Sequence, residues 1–387
     1  MAIAKMVQRG FYVLIVAFSL LHFFNSWFGI LPPLQMRPLH VAIICILAVI
    51  PWFSGKRISD LFNLLLIALA VLSTGYFILN FETIVKKAGY ISTEVVVFGS
   101  MLVFVLIVIS RRLLGNVLVI VAVVFILYAL LGQYLPSIFK HRGFGFDQVI
   151  TFLYTNANGI FGVPIDVSLR YIVLFMIMAQ FLERSGATKL FGAIARFVAK
   201  RTLGGEAKSA VVASALFGTT TGTPIANVMV TGQFTIPMMK KAGYPAYFAA
   251  GVEATASTGG LIMPPMMGAG AFIMAELLGV PYTTIMFAAV VPALLYYLSL
   301  YIAIDFYSRK RNFVKKSVVA DDENGDEKIS QYLHTLLPLV IFFVTIFLGY
   351  SVFRAAIVAI ISTPIICYFS PRTRFTLKDI LDCFAEG

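Results

Sequence analysis

Charge is what this chain has least of. Only 12% of its 387 residues are Asp, Glu, Lys or Arg, and 60% are hydrophobic, whereas a soluble globular domain carries roughly 25% charged residues. That is too little charge to hold a water-facing surface of this size in solution, so the solvent of most of the chain is a lipid bilayer. Cysteine is scarce as well: Cys45, Cys367 and Cys383 lie far apart, and their spacing indicates neither a disulfide framework nor a thiolate metal site. His22, His40, His141 and His334 are scattered with no carboxylate or thiol at ligand spacing, and read as structural or interfacial residues. No Ser/His/Asp set, His/Glu metal cluster or nucleotide loop is present, because Gly218 and Gly222 lack the Gly-Lys-Ser/Thr ending of a phosphate loop. The chain therefore does not read as an enzyme, and any work it does draws on an ion gradient or on another subunit. A net charge of +12 would suit nucleic acid if it formed a stripe. Here it falls in short clusters between apolar runs, which excludes that partner.

Those apolar runs are long enough to cross about 30 Å of hydrocarbon. They fall at 11–31, 39–54, 61–81, 93–110, 114–135, 166–183, 245–275, 282–306, 332–350 and 352–370, and predict an all-α polytopic protein of about ten transmembrane helices. The first run lacks a small-residue cleavage site and reads as an uncleaved span. With Lys5 and Arg9 on the cytoplasmic side, alternation puts nearly all of the basic clusters on that side and leaves only Arg37, Lys86, Lys87, Lys140, Arg142 and Arg354 outside. Both termini are then cytoplasmic, and the basic asymmetry follows the positive-inside rule only if segment 209–239 enters and leaves by the same face. A re-entrant hairpin is expected there. Its centre, Gly218 to Pro224, concentrates helix breakers whose freed backbone groups are tolerable only beside protein or a polar cavity.

Run 245–275 is longer than the membrane is thick at about 1.5 Å per residue, and Ser257 to Pro265 interrupts its middle. A discontinuous helix is expected. Around the hairpin tip, Thr219, Thr220, Thr221, Thr223 and Asn227 offer neutral oxygens to a hard cation such as Na⁺. The alternative is that these hydroxyls bond back to their own helix carbonyls. Ser257, Thr258, Gly259, Gly260, Pro264 and Pro265 would form the facing wall, with Pro224 beside it, although small residues also serve close helix packing. Glu253, an acid inside an apolar run, is either a functional group or an interfacial partner of a basic loop. Asp166 and Arg170 stand i, i+4, the spacing of a structural ion pair. The polar stretch 307–331, with Asp321 to Glu327, reads as a cytoplasmic linker between membrane segments, 332–370 as two further spans, and 371–387 as an amphipathic cytoplasmic tail with Leu377, Ile380, Leu381 and Phe384 on one face.

A set of local motifs is more specific. His141 to Phe146 (HRGFGF), Asn158 to Pro164 (NGIFGVP), Phe181 to Gly186 (FLERSG), Ala215 to Thr219 (ALFGT), Ala226 with Asn227, Thr231 to Met238 (TGQFTIPM), Ala256 to Gly260 (ASTGG) and Ile262 to Pro265 (IMPP) resemble the tripartite ATP-independent periplasmic (TRAP) transporters. The chain is similar to their fused membrane subunit, with a small four-helix module at 1–112 and the first half of the large module at 113–306. The resemblance implies Na⁺-coupled, elevator-type uptake of organic-acid anions across a bacterial inner membrane, with a periplasmic binding protein of the TAXI type as partner. It also implies Na⁺ at Thr219, Thr220, Gly222, Asn227 and Gly260. Thr223 and Pro224 depart from the family pattern, in which small residues other than Pro are usual. The family's second, inverted hairpin and broken helix have no counterpart after Pro265, so one half of an inverted-repeat transporter, completed by a separate C-terminal chain, is expected. The competing readings are another ion-coupled hairpin transporter and a membrane scaffold that does not transport.

Overall fold

The structure is a computed structural model that describes residues 2–53, 57–86, 90–311 and 329–387. Its helices are α1 (Ala2–Phe28), α2 (Pro33–Val49), α3 (Arg57–Leu79), α4 (Phe81–Lys86), α5 (Thr93–Leu114), α6 (Asn116–Leu131), α7 (Phe146–Thr155), α8 (Val163–Val167), α9 (Val173–Arg184), α10 (Ala187–Arg201), α11 (Gly205–Thr221), α12 (Pro224–Lys241), α13 (Ala246–Thr258), α14 (Ala269–Leu278), α15 (Tyr282–Lys310), α16 (Ile329–Tyr332), α17 (Leu337–Phe347), α18 (Val352–Tyr368) and α19 (Leu377–Glu386). No strand occurs among the described residues. The chain is an all-α, multi-pass membrane protein, and among the described residues eight elements are long and apolar enough to cross a bilayer. The other two expected spans take a different form: α18 is a shorter apolar helix of 17 residues, and run 245–275 is divided between α13 and α14. Most of the acidic linker, including Asp321 to Glu327, lies outside the described residues.

The chain divides into two compact units, one of residues 1–18 and 28–169 and the other of 19–27 and 170–387. In the first unit α5 starts where the Ser92 hydroxyl accepts from the Val95 N–H at 3.3 Å, and stops at Gly115, whose φ of +83° favours glycine. The unit's core joins Val41 and Cys45 of α2, Leu66, Ala70 and Phe77 of α3, Leu102 and Val105 of α5, and Tyr154 of α7. The buried Tyr154 hydroxyl donates to the Ser73 carbonyl at 2.5 Å. Gly99 is what lets α7 come this close, since a Cβ there would sit 2.7 Å from Ile150 and 3.0 Å from Tyr154. Asp166 does form an ion pair, with Arg37 at 3.0 Å, and Arg37 also donates to the Phe161 carbonyl. α6 is apolar on all sides and has no buried residue, the pattern of a helix whose neighbour is lipid.

In the second unit α11 and α12 form a helical pair joined by two residues, α17 and α18 form another, and α19 lies on α9. The predicted tail helix is present, but its apolar side packs on protein: Phe384 meets Phe181 and Phe23 edge-on, while Leu377 is exposed. A reciprocal cap starts it. The Thr376 hydroxyl accepts from the Asp379 N–H, and the Asp379 carboxylate accepts from the Thr376 N–H at 2.9 Å and from its hydroxyl at 2.7 Å. These bonds, with Arg184 as ion-pair partner, pull the Asp379 carboxyl down to about 2.

Two predictions follow from this packing. Gly99→Leu overpacks the α5/α7 contact and lowers stability by about 1–3 kcal/mol, whereas Gly75→Ala, with no atom near its added Cβ, is neutral or stabilising by about 0.5–1 kcal/mol. Fluorescence-monitored melting in detergent measures both. Because the folded value of Asp379 lies below that of the unfolded chain, its contribution is complete above about pH 4 and is lost as pH falls toward about 2. Protection of α19 amides from hydrogen exchange is expected to hold at neutral pH and to fall over that acid window, and Thr376→Ala lowers it at every pH by about 1 kcal/mol.

Candidate functional site

Two helix interruptions define the site. α11 ends at Gly222, whose φ of +58° places it in the left-handed region, then Thr223 is extended and Pro224 opens α12, where its missing N–H costs nothing. α13 passes through a single 3₁₀ turn, Gly259–Leu261, into an irregular stretch that contains the cis Pro264–Pro265 bond, and the helix resumes at Ala269.

The two breaks touch through glycines. A Cβ on Gly218 would lie 2.8 Å from the Gly260 Cα, and one on Gly260 would lie 3.4 Å from the Asn227 amide nitrogen. A side chain on Gly222 would collide with the Met267 carbonyl oxygen. Asn227 is fully buried and donates to the Ser214 carbonyl at 2.9 Å, with its amide oxygen 3.3 Å from the Thr231 hydroxyl. The carbonyls of the second break are held from outside, where the Tyr282 hydroxyl donates to Pro265 at 2.6 Å and lies 3.1 Å from the Met266 oxygen.

The expected residues separate into groups. Gly222, Asn227 and Gly260 converge, and Thr220 is buried near them. Thr219, Thr220 and Thr221 donate to the carbonyls of Leu216, Phe217 and Phe217 at 2.6, 2.9 and 3.2 Å, so the back-bonding alternative describes their hydrogens. Thr223 and Pro224 are half-buried at the tip, and Pro264 and Pro265 line the second break. Gly259 packs on the Tyr297 ring, which is the close-packing reading for that residue. Thr258 is exposed and bonds back to Ala254 at 2.7 Å, so it faces away from the convergent set.

Ser257 points to Glu253, at 3.2 Å. Glu253 is not an interfacial residue paired with a loop cation: it is fully buried, and its partners are the hydroxyls of Ser214, Thr231, Thr235 and Ser257. Sequence reading missed Ser214, Thr231 and Thr235. The available signal was the i, i+4 repeat of small hydroxyls at 231 and 235 on an otherwise apolar helix. The histidines are held locally: His40 lies 3.0 Å from the Ser168 hydroxyl, His141 3.0 Å from the Tyr128 carbonyl and His334 3.0 Å from the Thr373 hydroxyl.

A separate cavity of about 590 Å³ lies between the end of α9, the start of α10, Tyr332 of α16, the turn Arg372 to Arg374 and α19. It is polar, but its arginines are engaged, Arg184 by Asp379, Arg372 by Gln331 and Arg374 by the Tyr368 carbonyl. The paired breaks, where two helix ends meet around the buried Asn227, are the better candidate.

Residues 100–387 match the family described as Tripartite ATP-independent periplasmic transporter, DctM component. Over 148 residues, the chain is 32% identical to the C4-dicarboxylate TRAP transporter large permease protein DctM of Vibrio cholerae, covering 38% of this chain and 32% of that protein. Over 129 residues it is 32% identical to the protein of the same name from Rhodobacter capsulatus, covering 30% and 28%. Over 195 residues it is 25% identical to the uncharacterized protein y4mL of Sinorhizobium fredii, covering 48% and 45%. The chain thus spans about a third of the length of the DctM relatives it matches. With its membrane helices, paired helix breaks and a match over most of its length, the chain belongs to the tripartite ATP-independent periplasmic transporter family as a DctM-type large permease component.

Proposed function

We propose that the chain is the membrane permease part of a Na⁺-coupled, binding-protein-dependent transporter for organic-acid anions in a bacterial inner membrane. The observation that carries this reading is the meeting of the two breaks at Gly218, Gly222 and Gly260 beside the buried Asn227. α11 and α13 both end there, and a helix C-terminus presents unpaired carbonyls and partial negative charge, which favour a cation. α12 begins at the first break and α14 after the second, and a helix N-terminus favours a carboxylate. Opposite preferences at adjoining breaks suit the joint binding of Na⁺ and an organic anion. Thr219, Thr220, Gly222, Asn227 and Gly260 would hold the ion, and one such charge moving down 100 mV supplies about 2.3 kcal/mol to uptake.

The C4-dicarboxylate permeases among the relatives favour a C4-dicarboxylate as substrate, delivered by a periplasmic binding protein, and the motif resemblance favours one of the TAXI type. The family match begins at residue 100, which supports reading 1–112 as a fused small module. The α11/α12 pair is re-entrant from the cytoplasmic side, where both termini also lie, and the bundle that carries it moves as an elevator against the rest.

Na⁺, but not K⁺, is expected to raise the melting temperature of the purified protein, by the equivalent of about 2.7 kcal/mol at a hundredfold excess over Kd. Asn227→Leu abolishes the rise, and a protein indifferent to Na⁺ would sink the ion site. Cysteines introduced by Arg201→Cys and Lys241→Cys, both at exposed positions, are expected to react with an impermeant reagent from the same face of the membrane. Labelling from opposite faces would remove the re-entrant hairpin. Succinate uptake by vesicles carrying the complete transporter should require both the binding protein and inward Na⁺.

A further inference from the structure

Glu253 has no exposed surface, and its oxygens face four hydroxyls from three helices. On Oε1 lie Ser214 of α11 at 3.4 Å, Ser257 of α13 at 3.2 Å, and Thr231 of α12. On Oε2 lies Thr235 of α12 at 2.5 Å. Among the described residues no cation pairs with this carboxyl. The charged groups on the helices packed around it lie elsewhere: Glu206 and Lys208 are in the first turn of α11, with Lys208 bonded to Asp305 of α15 at 2.5 Å, and Lys240 and Lys241 are exposed at the far end of α12. On α15, the Tyr297 hydroxyl is 3.5 Å from the Ser214 carbonyl and the Tyr296 hydroxyl donates to the Thr255 carbonyl at 2.8 Å. An ionised carboxylate here has hydroxyl dipoles around it and no fixed countercharge, a costly arrangement that usually marks function.

The hydrogens show what the nest can do. A threonine hydroxyl carries one hydrogen, and both threonines have more than one acceptor in reach. Thr231 has the Asn227 carbonyl at 2.8 Å as well as Glu253, and Thr235 has the Thr231 carbonyl at 2.9 Å as well as Glu253. With their hydrogens turned to Glu253, the threonines solvate a carboxylate. When the acid is protonated, one threonine turns its hydrogen to its own helix and accepts the acid's single hydrogen, while the other goes on donating to the remaining carboxyl oxygen. Both arrangements satisfy the carboxyl and exchange by rotation about one C–O bond, without movement of a heavy atom.

We infer that Glu253, with Ser214, Thr231, Thr235 and Ser257, is a proton-binding site inside the bundle, one carboxyl that takes up and releases a single proton. The nest shares Ser214 and Thr231 with the contacts of Asn227, so a change in its hydrogens reaches the hairpin tip. The inference stands apart from the Na⁺ reading and survives if that reading fails.

Infrared difference spectroscopy of the full chain in lipid nanodiscs, titrated in Na⁺-free choline buffer, tests it. A carboxylic acid carbonyl band that appears with acidification and is missing in Glu253→Gln is expected. Thr231→Val and Thr235→Val leave the acid in place but remove its partners, and each displaces the midpoint of that band by about one pH unit or more. Should Glu253→Gln not fold, Glu253→Asp, which keeps a titrating acid at an altered frequency, and the threonine variants decide the matter. A band that persists unchanged in Glu253→Gln, a midpoint indifferent to both threonine substitutions, or loss of the acid band on adding Na⁺ at constant pH would overturn the proposal, the last by making the nest a metal-ion site.

Discussion

Lipid offers no hydrogen bonds, and that single constraint governs where this chain can stop being helical. A break in a membrane helix exposes carbonyls on one side and N–H groups on the other, and protein must cover them. The second unit places its two breaks against each other. Contact between backbones is possible only because glycine stands at each meeting point, Gly218 against Gly260 and Gly222 against the Met267 carbonyl. Tyr282 covers the Pro265 carbonyl from outside, and the buried Asn227 covers that of Ser214. Neither break is stable in lipid alone, so α11, α12, α13 and the turn after α13 stand or fall as one piece.

The same constraint explains which parts were legible in the sequence. Spans follow from apolar length, and breaks from dense Gly and Pro, because both are properties of contiguous residues. The hairpin arms reach four residues earlier and two residues later than apolar length suggested, from Gly205 to Lys241, because basic and acidic residues continue a helix as readily as apolar ones do. The expected seventh and tenth spans differ from the rest for physical reasons as well: α13 and α14 are halves, and α18 is cut short where Phe369 to Pro371 turn the chain.

What the sequence could not supply was distance. Glu253 was visible as an acid out of place, and its Ser257 partner lies one helical turn away. Thr235, Thr231 and Ser214 are 18, 22 and 39 residues distant, and no local pattern joins them to it. The Arg37–Asp166 pair spans 129 residues, and no helical spacing in the sequence brings those two together.

The threonines of the tip show that a structural bond and a functional position are not rival explanations. Thr219, Thr220 and Thr221 back-bond to their helix, as Thr255, Thr345 and Thr363 do elsewhere at 2.7 to 2.8 Å. A hydroxyl that donates its only hydrogen keeps its lone pairs, and a cation needs lone pairs. The back bond therefore turns the oxygen's electrons outward and does not compete with an ion. What separates the two sets is what stands beside them. Thr363 lies in the middle of α18, while Thr255 and Thr345 lie in the last turns of α13 and α17, as Thr219 to Thr221 do in the last turn of α11, where the carbonyls have no intrahelical partner. What sets the tip apart is the facing break, which brings the Met267 carbonyl oxygen against Gly222, one residue beyond Thr221.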